Sequence, residues 1–473
     1  MSRLLLSLLS AAALAGCAVG PDYHKPDLAL TPAFHTPAPV AEPGAGTVRP
    51  DVWWRAFGDA ELSRVVERAG AQNLDLLQAR ARLIQSRAAA RSAGAALLPV
   101  VDATGSAAKL DQSLDGPIGT IGRHLPGFER NVDDYTLGLG ASWEIDLFGG
   151  LRRGREAARA DADASAAQAD AVKVAIEADA ADAYLQVRAY QARIAVAQRQ
   201  QQVEQDLVAL LTRRLDQGVS AERDLHLAEA ALEGVRASIP PLNTGLEAEL
   251  NRLDVLMGAQ PGTWRAELTP TGAVPFPPAF AEAATPGDLL RHRPDVIAAE
   301  ARIRAADARI GAAISEYYPK LSLSALIGVD SLAASTVFHG DAQQSQLAAG
   351  LRWRLFDFGR IDAEVAAARG KEAEALAAYR LSVLKAAEEV ENAFTGLGDE
   401  RARAVALQRQ IIALTTARRQ AEDAYEGGVS SLVEVRDADR DLLAASDQLV
   451  QARAGAARAA VASFRALGGG WSR

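Results

Sequence analysis

The chain has 473 residues, which ordinary domain sizes would divide into two or three domains. Aromatic residues make up only 5% of it, and Ala, Arg, Glu, Asp and Leu dominate, which is typical of long packed helices rather than of a β-rich core. The net charge of −9, with no basic block along the chain, argues against nucleic acid as a partner.

The first residues have the pattern of a secretory signal. Residues 1–16 combine Arg3 with an apolar run that is too short to span a bilayer, so a signal peptide is predicted. The only cysteine, Cys17, excludes an intramolecular disulfide, and the sequence Leu-Ala-Gly-Cys that it ends resembles a bacterial lipobox. By that resemblance Cys17 is the lipidated first residue of the mature protein, and Ala18 after it indicates the outer membrane. An ordinary signal peptide with an incidental cysteine is the alternative.

The rest of the chain reads as two copies of one unit. Phe148-Gly149 aligns with Phe358-Gly359, and the same offset aligns Trp143 with Trp353. Pro-rich segments flank and join the copies, and they have no apolar pattern of their own. The predicted boundaries are a signal peptide at 1–16, a lipidated strap at 17–58, a first repeat at 59–257, a linker at 258–287, a second repeat at 288–467 and a tail at 468–473.

Each copy is predicted to contain a helix, a β-hairpin, a very long helix and a return helix. The hairpins are expected at about 98–148 and 318–358, the long helices at 150–217 and 360–426, and the return helices at 221–257 and 431–467. Without proline, each long helix would extend roughly 100 Å at about 1.5 Å per residue. Apolar residues recur near heptad spacing, which favours coiled-coil packing.

The strands before the two Phe-Gly pairs have one apolar and one charged face. Leu351, Trp353 and Leu355 share one side in the second copy, and Arg352 and Arg354 share the other. Half-buried strands of a soluble sheet would give the same pattern. The signal peptide and the four such strands favour a membrane barrel, whose strands are apolar outside and polar inside.

Four strands cannot close a membrane barrel, because about eight are the minimum and open edges are not tolerated in lipid. The chain is therefore expected to oligomerise. Two chains would give a narrow lumen filled by side chains, and three would give an open channel of about twelve strands. The helices carry too many charges to cross the membrane, so they are expected in the periplasm.

Several segments, in this order, resemble the outer membrane efflux protein family, in particular its lipoprotein branch serving resistance-nodulation-division multidrug pumps. They are LAGC, PDYHKP, the pair Trp53-Trp54 with Phe57, the two Phe-Gly joints, the turn 425–430 and the terminal LGGGW. The resemblance implies an α+β membrane protein: a homotrimer sharing a twelve-stranded β-barrel that continues into an α-helical tunnel with an equatorial belt. It also implies a periplasmic adaptor (membrane fusion protein), an inner membrane pump and outer membrane lipid as partners.

The resemblance also implies a periplasmic gate just past the second Gly-Val-Ser turn. The matching residues are Val433, Asp437 and Arg440, which share one helix face. An exposed helix with incidental ion pairs is the alternative. Where the family often has an apolar residue and a Gln, this chain has Arg436 and Asp439. Three copies of Asp437 would form a carboxylate ring that favours cations and is blocked by multivalent cations.

The two turns between long and return helices are candidate adaptor-docking tips. They consist of Gly218, Val219 and Ser220 in the first copy and Gly428, Val429 and Ser430 in the second. Ordinary turn chemistry explains both glycines equally well, since glycine favours the left-handed end of a helix. The valines are the apolar residues that a partner would contact.

No catalytic pattern is evident in the sequence, because the six histidines form no metal-binding spacing and no phosphate-binding glycine loop is present. The chain is therefore predicted not to be an enzyme and to need no cofactor beyond the covalent lipid on Cys17. The predicted function is an outer membrane channel that passively conducts drugs or other small molecules outward when it is docked to its partners. The alternative is a lipid-anchored trimeric adhesin or structural coiled coil without transport.

Overall fold

The computed structural model describes residues 18–27, 31–36, 50–278, 287 and 292–469. The predicted signal peptide 1–16, the predicted lipidation site Cys17 and residues 470–473 of the tail lie outside the described residues. The chain divides into two compact units. Of the described residues, the sheet unit comprises 18–26, 84–164 and 300–377, and the helical unit comprises the others.

The sheet unit contains a four-stranded antiparallel sheet whose strands follow chain order. Its strands are β1 (Val100–Asp111), β2 (Asn131–Ile145), β3 (Lys320–Ser331) and β4 (Gln343–Arg352). Two hairpins are joined through β2 and β3, where Leu139 pairs with Ile327. Within the described residues, the outer edges of β1 and β4 have no paired strand. Because β4 ends at Arg352, the expectation that Trp353 and Leu355 continue its alternation was wrong.

The segment between β1 and β2 is partly helical. It contains a short helix, α3 (Pro117–Gly122), and Gly122 lies directly against the ring of Phe128. The segment between β3 and β4 contains a single 3-10 turn at Gly340–Ala342.

Two helices occupy the start of the first repeat, where a single helix before the hairpin was predicted. They are α1 (Ala60–Gln72) and α2 (Leu74–Ala95). Asn73 separates them, because its side-chain oxygen accepts hydrogen bonds from the backbone N–H groups of Asp75 and Leu76 and so starts a new helix. Asp59 caps α1, since its carboxylate accepts a hydrogen bond from the N–H of Leu62 at 3.0 Å.

The remaining helices come in pairs of equal length. The long helices α4 (Gly150–Asp216) and α8 (Arg360–Glu426) have 67 residues each. The return helices α5 (Glu222–Leu256) and α9 (Leu432–Ala466) have 35 residues each. A four-residue helix, α6 (Arg265–Leu268), lies in the linker, and α7 (Pro294–Ser315) precedes β3. Aspartates at the strand ends cap both long helices: Asp146 accepts from the N–H of Arg152, and Asp357 accepts from that of Ile361.

The hydrophobic core of the helical unit includes the C-terminal end of the predicted strap. Trp53 is almost fully buried and stacks on Phe464 of α9 with ring centroids 5.1 Å apart. The hydroxyl of Tyr184 in α4 donates to the second carboxylate oxygen of Asp59 at 2.9 Å. The tryptophan pair that ends the strap is therefore an anchor within the hydrophobic core of this unit.

Candidate functional site

The two tips where the long helices end have the same backbone structure. At the first tip, the N–H of Val219 donates to the carbonyl of Arg214, and the N–H of Gly218 donates to that of Leu215. Val429 and Gly428 repeat these two bonds at the second tip, with φ +72° at Gly218 and +71° at Gly428. This is the Schellman cap, in which a residue in the left-handed region ends a helix.

Both caps project a valine into solvent. The side chains of Val219 and Val429 are 70% and 85% exposed, and the cap uses only the backbone N–H at that position. The adjoining Ser220 and Ser430 begin the connections to α5 and α9. Each tip therefore presents an apolar side chain at the end of a rigid turn, which is a shape that a partner can contact.

Behind the tips, a small apolar cluster joins the helices. Leu211 of α4, Ala228 of α5 and Leu432 of α9 are buried together. The guanidinium of Arg214 donates to the hydroxyl of Tyr425 at 2.6 Å and lies 5.2 Å from the centre of its ring. The ends of α4 and α8 are thus linked by a hydrogen bond and a cation–π contact.

The three residues predicted for the gate follow the second tip on α9. Val433 and Asp437 are exposed, and Arg440 forms an ion pair with Asp437 at 3.1 Å. Both charged side chains are more than half exposed. The arrangement gives an exposed helical surface on which the carboxylate of Asp437 is partly neutralised by its own neighbour.

A buried polar cluster that the sequence did not predict lies one turn away. The guanidinium of Arg418 in α8 donates to the carboxylate of Asp439 at 2.7 Å, and Asp439 is buried. On the same face of α9, one turn before Asp439, Arg436 has a buried Nε without a hydrogen-bond partner among the described residues, and one carboxylate oxygen of Glu204 in α4 is buried in the same condition. Burial raises the pKa of Glu204, and the 2.9 Å hydrogen bond from Gln200 and the charge of Arg436 partly oppose that shift. Asp439 and Arg436 were noted in the sequence only as departures from the family pattern.

The joint between sheet and helix is fastened by the N-terminal residues. The N–H of Val19 donates to the carbonyl of Phe148 at 3.1 Å, and Ala18 lies against Gly149. The guanidinium of Arg153 donates to the carbonyl of Val19 and to the carboxylate of Asp22. The residue following position 17 is therefore held where β2 passes into α4.

The tryptophans at the strand ends make equivalent contacts in the two hairpins. The indole N–H of Trp143 donates to the carbonyl of Leu97 at 3.0 Å, and that of Trp353 donates to the carbonyl of Tyr317 at 2.9 Å. Both rings remain exposed. An exposed indole whose N–H is satisfied by backbone is suited to a boundary between apolar and aqueous surroundings.

Among the described residues, no cluster of histidine, cysteine or carboxylate side chains could hold a metal ion. Within those same residues, none of the helices has both the length and the apolar content needed to cross a membrane.

The fold is that of a channel of the outer membrane. The solved structure of the outer-membrane channel OprN superposes on 96% of this chain and 100% of its own with a TM-score of 0.86 and 34% sequence identity. The chain belongs to the outer membrane efflux protein family, whose model matches residues 65–259 and 285–469. This is a family of transport proteins and not of enzymes, and the adhesin or structural alternative is not favoured.

Two relatives illustrate the similarity. The pyoverdine export outer membrane protein OpmQ of Pseudomonas putida is 32% identical over 451 residues, covering 94% of this chain and 93% of its own. The cation efflux system protein CusC of Escherichia coli is 25% identical over 472 residues, covering 99% of each chain.

Proposed function

We propose that three copies of the chain form an outer membrane channel that passively conducts small molecules from the periplasm to the exterior. The observation that carries this proposal is the antiparallel sheet with two unpaired edges, from which β2 and β4 lead through short segments into the 67-residue helices α4 and α8. Unpaired edges cannot face lipid, so further copies must cover them. Three copies of four strands give the open lumen that passage requires.

An internal duplication accounts for the paired architecture of each chain. Helix lengths, tip caps and tryptophan contacts recur in the two halves, and the family model matches each half separately. On this basis the domain boundaries predicted from the sequence are retained, with one hairpin from each repeat contributing to the barrel.

A lipid on Cys17 is proposed as a second attachment to the membrane. Val19 is bonded to Phe148 at the end of β2, beside the exposed Trp143, so residue 17 would be at the membrane boundary. A single acyl anchor alone binds weakly, whereas an anchor next to a barrel adds to an existing attachment.

The tips and the adjoining residues are proposed to meet the partners and to form the gate. Val219 and Val429 would contact a periplasmic adaptor, which connects the channel to an inner membrane pump. Val433, Asp437 and Arg440 would narrow the periplasmic opening. No chemical step by this chain is required, because the pump supplies the energy for transport.

The substrates are proposed to be drugs or other small molecules chosen by the pump. Relatives of the chain are named for the export of pyoverdine, of cations and of toluene, so similar outer membrane proteins serve chemically unrelated cargo.

Deletion of the gene tests this proposal when it is followed by measurement of drug susceptibility. Complementation with the full chain should restore resistance, whereas complementation with a chain lacking both tips should not. Unchanged susceptibility in the deletion strain across dyes, antibiotics and metal ions would contradict an efflux role.

A further inference from the structure

A cavity rich in arginine lies in the sheet unit, beside the first turns of α4, the helix that follows β2. Its volume is about 600 Å³, and its lining includes Arg152, Arg155 and Arg159 of α4, Arg304 of α7 and the N-terminal residues Asp22 and Tyr23. We call it the arginine pocket. None of the functions described above uses it.

The acidic groups of the pocket leave part of its positive charge unpaired. Asp22 and Glu156 are engaged by Arg153, at 2.8 and 2.9 Å, and Arg152 is bonded to Asp146. Asp163 is 3.5 Å from Arg304.

Two arginines of the pocket remain without an acidic partner. Among the described residues, neither Arg155 nor Arg159 has an ion pair or hydrogen bond, and the Nε of Arg304 is buried without an acceptor. Guanidinium groups in this condition are suited to bind an anion of tetrahedral or planar geometry.

The position of the pocket in the sheet unit argues against another copy of the chain as its occupant. Helix α4 continues the central strand β2, and α7 leads into the other central strand, β3. The edge strands β1 and β4, through which a neighbouring copy would pair, are joined instead to α2 and α8.

The orientation of α4 directs its arginines towards the membrane. The helix begins at Gly150, so Arg155 and Arg159 lie roughly 8 and 14 Å along it at about 1.5 Å per residue. Side chains on a helix lean towards its N-terminus, which here is the end beside the sheet. The first turn also contributes a positive helix dipole.

We propose that the arginine pocket binds the phosphate of an anionic phospholipid from the periplasmic leaflet of the outer membrane. The inference rests on the proposed membrane insertion of the sheet, since that insertion places the pocket against the headgroup layer. The N-terminal residues that line the pocket are on its lipid-facing side, because the proposed acyl chain on Cys17 must enter the same leaflet. Arg155 and Arg159 supply the free charge, and Arg304 supplies a further donor.

Native mass spectrometry of the purified full chain tests the proposal. The protein is released from nanodiscs containing equal amounts of phosphatidylglycerol and phosphatidylethanolamine. Wild type should retain phosphatidylglycerol, one molecule per chain, and Arg155→Gln combined with Arg159→Gln should lower its retention about tenfold or more, because charge-assisted hydrogen bonds are lost.

The matched control is Arg87→Gln combined with Arg91→Gln. These exposed arginines lie near the C-terminal end of α2, at a similar number of residues from the sheet, and they do not line the pocket. Retention in the control should stay within about twofold of wild type, as expected for exposed charges. Equal losses in both double variants, or no preference for phosphatidylglycerol in wild type, would overturn the proposal.

Two further measurements are made. One distinguishes a lipid from free phosphate as the ligand, and the other distinguishes failure of this inference from failure of the proposed function. Retention of inorganic phosphate by lipid-free protein, at the same occupancy and with the same dependence on Arg155 and Arg159, would overturn the assignment to a lipid. Channel currents are recorded on the same preparations. Normal currents without retained phosphatidylglycerol would reject this inference alone, whereas protein that never inserts into bilayers would reject the proposed function as well.

Discussion

Arg418 and Asp439 form a 2.7 Å ion pair that ties the long helix α8 to the return helix α9, and the carboxylate is buried. The pair lies within one turn of Asp437 and Arg440 on α9. A buried charge that loses its partner is strongly unfavourable, so the two helices are expected to separate when Arg418 is removed.

Arg418→Ala should therefore open the periplasmic end and raise single-channel conductance in planar bilayers by about twofold or more. Arg419→Ala is the control, since Arg419 is exposed on the same helix and has no ion pair among the described residues. A conductance equal to that of wild type in Arg418→Ala would show that this pair does not restrain the opening.

The cation selectivity of the channel should change in opposite directions when Asp437 and Arg440 are replaced one at a time by uncharged residues. Asp437→Asn removes a carboxylate from the narrow opening and should lower the cation preference and the block by multivalent cations. Arg440→Gln frees the same carboxylate from its 3.1 Å partner and should raise both. Reversal potentials in a salt gradient give the measurement, and shifts of the same sign in both variants would contradict the carboxylate ring.

The exposed valines at the tips should be required for efflux but not for folding. Val219→Asp combined with Val429→Asp places charges where an apolar partner surface is expected, so drug resistance should be lost while the protein still reaches the outer membrane. Val219→Ile combined with Val429→Ile keeps the apolar character and should preserve resistance. Docking through the tips would be refuted by full resistance in the aspartate variant.

The free edges of the sheet should pair between copies in the register that β2 and β3 adopt within one chain. Leu139 pairs with Ile327, and their counterparts in the other repeats are Ala349 of β4 and Ala107 of β1. Ala349→Cys with Ala107→Cys should form a disulfide between copies under mild oxidation, visible as a covalent oligomer on a denaturing gel. Ala349→Cys with Ala103→Cys, four residues out of register, should not.

The two Phe-Gly joints differ from each other, and the difference supports pairing of β4 of one copy with β1 of the next. Phe148 stacks on Tyr318 with ring centroids 4.6 Å apart, whereas Phe358 is fully exposed at φ +54°. Leu98 takes the place of Tyr318 in the first repeat and is itself exposed.

If the cysteine pair at 349 and 107 failed to cross-link while the trimer remained intact, the edges would be paired in another register.

Thermal stability should depend on pH through Glu177 in the helical unit. Burial raises the pKa of this carboxyl from its ordinary value near 4.5 to about 7, and Lys173 at 3.7 Å only partly opposes the shift. Between these values the folded protein holds a proton that the unfolded chain has released. The free energy of unfolding should therefore fall as pH rises from about 4.5 to about 7 and then level off.

Glu177→Gln should flatten this profile, because the amide is uncharged at every pH. Its melting temperature in detergent should exceed that of wild type at pH 8 and approach it at pH 5. Glu434→Gln, which changes an exposed carboxylate on α9, should leave the slope as it is. A wild-type slope that persists in Glu177→Gln would assign the pH dependence to another group.

Local patterns in the sequence predicted local structure well. Gly218 and Gly428 are at left-handed helix ends, and the glycine of each Phe-Gly pair immediately precedes a long helix. Periodicity and proline positions placed both long helices to within one residue of their observed ends. These features depend on a few neighbouring residues, which is why the sequence alone contains them.

Contacts between distant segments could not be predicted in the same way. Arg418 and Asp439 are 21 residues apart, and Arg193 of α4 meets Asp447 of α9 across 254 residues. Arginine and aspartate are frequent throughout the helices, so many pairings were compatible with the sequence. Asn73 was also missed, because a helical pattern continues on both sides of it and only its side-chain bonds show the break.

Single-channel recording of the purified full chain in planar bilayers tests the central claim most directly. We expect discrete current steps of uniform size that prefer cations and grow when Arg418 is replaced by alanine. Protein that is folded and lipid-embedded, yet gives no current steps in wild type or in Arg418→Ala, would contradict it.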